Sequence, residues 1–378
     1  MMEKLESYRE LFPVTNEMAY LNHAAIAPLS TRSAGAIKEV MSEMLSSGGL
    51  SYRKWMDRVD RAREACASLI GAETAEIAFL GNTSDGLGAV ASSLGWRKGD
   101  KIIVSMPDFP SVIYPWLPLE GRGVETIPVH RRDGRLEPGD VEKAILPGAR
   151  MLVVSAVDFL TGFACDLEAM GEICRKKGIL FCVDAIQQLG ALPLNVERAG
   201  IHFLSCGSHK WLMGPVGCAF LFVSRRIEDE VRPERRGWKS VKDEEDFFTF
   251  QREIKRGASG FEPGSLNILG ICGLGAAVEL ILEVGLEAVE NKLMELTGYL
   301  FERLREEGLS AVLQPEGGGR SGIVSFRPAA DPVELTRLLL KKKIIVSERR
   351  GLIRVSPHFY NNTDELERFF QVMRACKG

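Results

Sequence analysis

Between residues 76 and 223 the chain repeats one theme, a short apolar run rich in β-branched residues followed by an amphipathic stretch of helix length. The runs cover 76–80, 101–105, 124–129, 150–157, 179–184, 202–206 and 218–223, with helix candidates near 85–94, 111–117, 138–146 and 166–177. Parallel strands need a crossover of a dozen or more residues, usually a helix, whereas antiparallel ones need only a turn. The alternation therefore predicts an α/β domain, a mostly parallel seven-stranded sheet flanked by helices on both faces. Ligands of such sheets bind beyond the carboxyl ends of the strands, so the residues just past each run are the ones to read for chemistry.

After residue 223 the alternation stops. Residues 225–257 are dense in mixed charge and read as a solvated surface excursion. A Gly-rich loop, 257–265, leads into helices over 268–284 and 286–307 and a turn at Gly317, Gly318 and Gly319. Then come a strand at 323–326, a helix at 332–342, short strands at 344–347 and 352–356, and a last helix from Asp364. Asn362 and Glu365 read as a capping pair for that helix. This mixture predicts a smaller α+β domain. The expected division is a large domain over 16–255 and a small one built from 1–15 with 256–378, in keeping with a 378-residue chain.

Composition narrows the function. The chain has 48 Lys+Arg against 51 Asp+Glu, a net charge of −3, and no long block of one sign, which argues against nucleic acid or an anionic membrane surface as partner. The N-terminus is charged and lacks the apolar core of a signal peptide, and the most apolar stretch, 268–278, is too short to span a bilayer. The eight cysteines are scattered, without Cys-x-x-Cys or zinc-like spacing, so no metal site is expected. A reducing, cytoplasmic setting is the expectation.

The sharpest local signal is Ser208-His209-Lys210-Trp211, followed by Gly214-Pro215-Val216-Gly217. A Lys just past a strand, in front of a tight turn, is held where its amine can face a cleft. Asp184 closes the 179–184 run at the same edge of the sheet. A pyridine aldehyde cofactor needs this pair: an amine for a Schiff base, and a carboxylate that keeps the ring nitrogen protonated. Its phosphate needs backbone N–H groups and hydroxyls at a helix N-terminus, which Gly81-Asn82-Thr83-Ser84-Asp85-Gly86 can supply.

With those residues in view, the chain resembles the class V aminotransferases, within the fold-type I enzymes that use pyridoxal 5′-phosphate. The likeness runs over nearly the whole length. It is carried by Tyr20-Leu21-Asn22-His23-Ala24-Ala25, Asn82-Thr83-Ser84-Asp85-Gly86, Phe109-Pro110-Ser111, Val183-Asp184-Ala185-Ile186-Gln187, Ser208-His209-Lys210-Trp211 and Arg354-Val355-Ser356-Pro357-His358-Phe359-Tyr360-Asn361. The resemblance implies that Lys210 carries the cofactor and shuttles a proton, that Asp184 pairs with the pyridinium nitrogen and that Gln187 bonds the ring 3′-oxygen. It also implies that Thr83, Ser84 and His209 hold the phosphate and that Phe109 stacks on the ring. Ser265 would reach the phosphate of a neighbouring subunit, which implies a homodimer with sites at the interface. Arg354 would clamp the substrate α-carboxylate, a role suited to a planar guanidinium, with Asn22 and His23 lining the substrate side.

Three departures refine the resemblance. Cysteine desulfurases, a branch of the family, carry a reactive Cys on a loop shortly before the Arg motif, and residues 347–353 hold none. Where relatives place an Asn beside the cofactor 3′-oxygen, this chain has Asp158-Phe159. The phosphate-binding Ser three residues before the Lys is replaced by Gly207, with Ser208 next to it. The expected activity is transamination of a small amino acid with a 2-oxo acid, through an external aldimine and a quinonoid. C–S or β-lyase chemistry and epimerisation share those steps, and a non-catalytic binding role on the same fold is the remaining alternative.

Overall fold

The computed structural model describes residues 2–250 and 252–376. After a short strand β1 (Ala19–Tyr20) come the strands of the main sheet: β2 (Ile77–Leu80), β3 (Lys101–Met106), β4 (Glu125–His130), β5 (Ala149–Ser155), β6 (Leu180–Asp184), β7 (Phe203–Gly207) and β8 (Ala219–Val223). Their order is β2-β8-β7-β6-β5-β3-β4. Neighbours from β7 through β4 are parallel, and β8 runs antiparallel to both β7 and β2. The reversal of β8 follows from its connection: residues 208–218 are too few for a crossover, so the chain turns back beside β7. That short connection carries Lys210.

Every residue of β6, β7 and β8 is buried. Helices cover both faces, which is why these runs are continuously apolar rather than alternating. Helices Thr83–Ser93, Pro138–Ala144 and Leu167–Lys177 fall where the periodicity put them. The helix expected at 111–117 is instead a single turn, Pro110–Ile113, and a 3-10 segment, Leu117–Arg122. Pro115 and Pro118 remove donors and push the preceding residues out of helical geometry, so no longer helix can form.

Two helices, Thr31–Ser47 and Tyr52–Ile70, lie in a stretch left unassigned from sequence. Their signals were legible: Ser30 caps the first by accepting the Ser33 N–H, and Gly71 ends the second in a left-handed conformation. Val59, Ala62, Cys66 and Leu69 mark its buried face at helical spacing. Both pack on Ile268–Val284, where Val40, Trp55 and Cys272 form a cluster and Ser33 Oγ donates to the Gly273 carbonyl at 2.8 Å. Among the described residues no single helix is long and apolar enough to cross a membrane.

The remaining strands are β9 (Val324–Phe326), β10 (Ile344–Ile345), β11 (Ser347–Arg349) and β12 (Leu352–Val355). β11, β12 and β9 form an antiparallel sheet, while β1 pairs with β10 in parallel. The strand expected at 344–347 is thus split between two sheets. This lobe has its own core, including Leu300, Phe326, Leu339, Val355 and Phe369. Its last helix, Thr363–Ala375, opens with the Asn362 and Glu365 capping box. Packing crosses the division drawn from sequence at two places. Ala19 and Leu21 belong to the core of this lobe, and Ile271, Leu274 and Val278 to that of the main sheet.

Candidate active site

Asp184 ends β6, and Lys210 lies just beyond β7, the strand beside it. Asp184 is 2% exposed and Lys210 8%. Burial pushes the Asp184 carboxyl up to about 7, against the Ile186 N–H on Oδ1 and the Lys210 charge, which both favour the anion. Burial likewise pushes the Lys210 ammonium down to about 8, with Asp184 pulling the other way and Arg354 adding to the fall. A neutral, nucleophilic amine is thus reached at a pH well below the ordinary Lys value of 10.5. The Lys210 amine lies over the face of the Phe109 ring, 5.4 Å from its centroid. Phe109 itself remains 41% exposed, so part of its ring is left uncovered.

Thr83 and Ser84 open the helix Thr83–Ser93, which Asn82 caps by accepting the Asp85 N–H at 2.9 Å. Thr83 Oγ1 accepts the Gly207 N–H at 2.9 Å, leaving its own proton to donate. Ser84 and Ser111 are linked through their hydroxyls at 2.6 Å, which ties this turn to the Phe109 loop. Gly207 explains one departure. A Cβ there would lie 3.1 Å from Thr83 Oγ1, 3.0 Å from Ile186 Cδ1 and 3.3 Å from His209 Cε1. A Ser at this point, as the resemblance would have it, fits only if those side chains give by a few tenths of an ångström, and Ser208 does not stand in for it, because its Oγ donates to the Pro215 carbonyl. His209 lies beside the same junction, with burial and the Lys210 charge lowering its pKa.

Gln187 is held on two sides. Its Nε2 donates to the Ala24 carbonyl at 3.1 Å and its Oε1 accepts the Trp211 indole N–H at 2.8 Å. One amide N–H is left to face a ligand.

On the other side, β12 carries Arg354, buried to 2% exposure. Its Nη1 donates to the Phe159 carbonyl at 2.7 Å, while Nε is buried without a partner. Burial and the nearby Arg349 charge push this guanidinium down to about 10. A buried, under-partnered guanidinium is costly unless an anion completes it. Asn22 bridges to Ser356 and keeps a buried, unpartnered Oδ1. His23, expected on the substrate side, is placed differently. It is fully buried, with Nδ1 against the Ser356 carbonyl at 2.9 Å and Nε2 against the Tyr360 hydroxyl at 2.6 Å. Both ring nitrogens are spent on the packing of Ser356 and Tyr360, so His23 has nothing to offer a substrate.

Ser265 lines a cavity with Gly81, Asp85 and Arg235, on the outer side of the turn that carries Thr83. Its loop is fixed by Glu262, which accepts the Phe79 N–H and pairs with Arg63, both at 2.7 Å.

One constellation escaped the sequence reading. Asp108 is buried and accepts Arg131 Nη2 at 2.9 Å, Ser155 Oγ at 2.6 Å and the Phe109 N–H at 2.7 Å. Arg131 also pairs with Asp158 at 3.4 Å, and Asp158 Oδ1 accepts the Leu160 and Thr161 N–H groups. Asp158 is therefore committed to Arg131 and to its own turn, while the Phe159 ring packs edge-on against Phe109 at 5.4 Å. An Asp and an Arg 23 residues apart leave no periodic trace; only the parallel pairing of β3 with β4 brings them together.

A family model, "Aminotransferase class-V", matches residues 19–369, and the chain belongs to that family. An uncharacterized aminotransferase of Bacillus subtilis is 30% identical over 97% of this chain and 96% of its own length. A probable cysteine desulfurase of Methanothermobacter thermautotrophicus is 28% identical over 99% and 98%. Among solved structures, the apo cysteine desulfurase of Thermococcus onnurineus superposes with a TM-score of 0.91 at 28% identity, over 99% of this chain and 98% of that one. A mutant of C-DES with glycine covalently linked to its PLP cofactor gives 0.88 at 19% identity over 97% and 98%, a likeness of fold. The chain is thus a class V, cysteine desulfurase-like enzyme of fold-type I, and its cofactor is pyridoxal 5′-phosphate.

The residues present fit that group. They supply a buried amine of lowered pKa beside a buried carboxyl, a partly exposed aromatic ring and a helix N-terminus with a free Thr hydroxyl proton. Across the cleft stands a guanidinium with an orphaned donor.

Proposed function

We propose that the chain is an aminotransferase that takes a small amino acid and passes its amino group to a 2-oxo acid. Pyridoxal phosphate, when bound, supplies an electron sink for the substrate α-carbon. The protein's residues then have separable tasks. Lys210 attaches the cofactor and afterwards, as a free amine, takes and returns the α-proton. Asp184 holds the ring nitrogen charged, and Gln187 directs its spare N–H to the ring oxygen. Thr83, Ser84 and His209 hold the phosphate, and Phe109 covers one ring face. Arg354 takes the α-carboxylate in the position where its Nε lacks a partner, and Asn22 borders it.

The observation that carries this reading is the burial of Asp184 at the end of β6 and of Lys210 just past the adjacent β7, opposite Arg354, a cluster that would be unfavourable unless it bound a charged ligand. A C–S or β-lyase is the second reading, favoured by the relatives named as probable cysteine desulfurases. Against persulfide chemistry at the substrate, β11 and β12 are joined by a two-residue turn without a Cys, and seven of the eight cysteines are buried. Unpaired cysteines support a cytoplasmic setting. The exposed Ser265, beside the turn that carries Thr83, supports a homodimer whose partner completes the phosphate site.

Incubation of the holoenzyme with amino acids and a 2-oxo acid tests the reading. Exchange of the amino group is the expected result; pyruvate and ammonia without exchange would favour the lyase. After borohydride reduction, the cofactor is expected on the Lys210 peptide of the native protein and absent from Lys210→Ala.

A further inference from the structure

The hairpin that carries Arg354 carries a second cation on the same face. Ser347 is directly opposite Arg354 in the ladder, and Arg349 is two residues further along β11. Residues opposite each other, and residues two apart on one strand, share a face of a sheet. Ser325, opposite Arg354 on the β9 side, lies on that face too. The face looks onto the loop beyond β5, because Ser325 Oγ donates to the Leu160 carbonyl and Arg354 to the Phe159 carbonyl. Two buried polar atoms on it lack partners, Arg354 Nε and Ser347 Oγ.

Arg349 is exposed at the mouth of this face, and its Nη1 donates to the carbonyl of its own neighbour, Glu348. The Glu348 side chain cannot neutralise it: alternation sends it to the opposite face, where it accepts the Gly351 N–H at 2.7 Å. Of the other charges, Asp158 acts on Arg354 and Asp184 on Lys210, and the Arg327 guanidinium lies against the same hairpin at Gly351. Asp158 is tied to Arg131, and Asp184 faces Lys210 from the sheet. Arg349 acts on both cations of the site, lowering the pKa of Lys210 and of Arg354. A substrate α-carboxylate would answer one guanidinium and leave the other uncompensated.

We propose that Arg349, with the Ser347 hydroxyl, recognises a second carboxylate, so that the preferred substrate is an amino acid with a carboxylate at the end of a short side chain. The span agrees. Diagonal cross-strand neighbours such as Arg349 and Arg354 lie about 7–8 Å apart, with their Cβ atoms somewhat closer and within reach of long side chains. Two carboxylates separated by two or three carbons can therefore bridge the two guanidinium groups. Arg349 is a specificity residue here and takes no part in proton transfer. The proposal rests on the reading of Arg354 as the α-carboxylate clamp.

The test compares aspartate with asparagine, and glutamate with glutamine, as amino donors for the holoenzyme and for Arg349→Gln and Arg349→Lys. The native enzyme is expected to prefer the acid over the amide at least tenfold in kcat/KM, mainly through KM. The preference should fall towards one in Arg349→Gln and return in part in Arg349→Lys. Equal use of acid and amide by the native enzyme, or an undiminished preference in Arg349→Gln, would overturn the proposal while leaving the aminotransferase reading intact. If acids and amides alike failed to react with protein still carrying cofactor on Lys210, this proposal would fall, and the aminotransferase reading would fall with it only if the remaining small amino acids also failed to exchange.

Discussion

The Arg354 guanidinium donates to the Phe159 carbonyl at 2.7 Å, so the side chain proposed to clamp the substrate carboxylate is anchored on the loop beyond β5 rather than within its own sheet. That loop is in turn fixed by Asp158 and Arg131. Arg354→Lys keeps the charge but loses the planar fork and the bond to Phe159. Its expected effect is a loss of about 3 kcal/mol in transition-state binding, on the order of a hundredfold in kcat/KM, with cofactor binding unchanged. Kinetics on saturated holoenzyme, alongside a cofactor titration, check both halves.

The lowered Lys210 pKa makes cofactor capture pH-dependent. Only the neutral amine attacks an aldehyde, so the rate of pyridoxal phosphate uptake by the cofactor-free protein should rise with pH and level off above about 8. A rise continuing to the ordinary Lys value of 10.5 would show that burial does not act on this amine. Stopped-flow absorbance across pH 6 to pH 10 gives the profile.

Asp184 predicts a stability slope in the same protein. Its folded pKa of about 7 exceeds the ordinary 3.8, so between those values the folded form keeps a proton that the unfolded chain has lost. Its contribution is full below the ordinary value and is lost as pH rises through about 7. The urea midpoint of cofactor-free protein should therefore fall over this window, and less steeply in Asp184→Asn. The same variant, with its ring-nitrogen partner neutralised, should lose most of its activity when loaded with cofactor.

Gly207→Ser installs the residue that the family resemblance implies at this position, and the expectation is harm. The new Cβ would press on Thr83 Oγ1 and Ile186 at 3.1 and 3.0 Å, disturbing the hydroxyl assigned to the phosphate. Cofactor affinity should weaken on the order of tenfold, from about 1.4 kcal/mol of lost fit. A spectroscopic titration reads this directly, and tighter binding would show that the strand gives way at little cost.

The main sheet was legible because strands covered on both faces leave unbroken apolar runs, and each run from 76 to 223 became a strand. The nearness of Asp184 and Lys210 was legible because Asp184 closes one such run and Lys210 stands just past another. The helices at Thr31–Ser47 and Tyr52–Ile70 have readable caps and spacing, but they precede the strand–helix alternation that marks the sheet. What sequence could not give was lateral. Strand order decides which residues face each other, and the Asp108, Arg131 and Asp158 network exists only once β3, β4 and β5 lie side by side. His23 shows the converse: a motif position is not a role until its hydrogen bonds are counted.

The join between β11 and β12 consists of Arg350 and Gly351, both left-handed at φ 53° and 77°. This is the tightest way to close a hairpin, and Gly at the second position suits it. It leaves the rim of the substrate face no slack, so a reactive side chain on a swinging arm has nowhere to hang. Yet the cost of slack is small, about 0.6 kcal/mol for each doubling of a flexible loop. A few residues spliced between Arg350 and Gly351 would give that rim slack at little cost, without touching the strands that position Lys210 and Asp184.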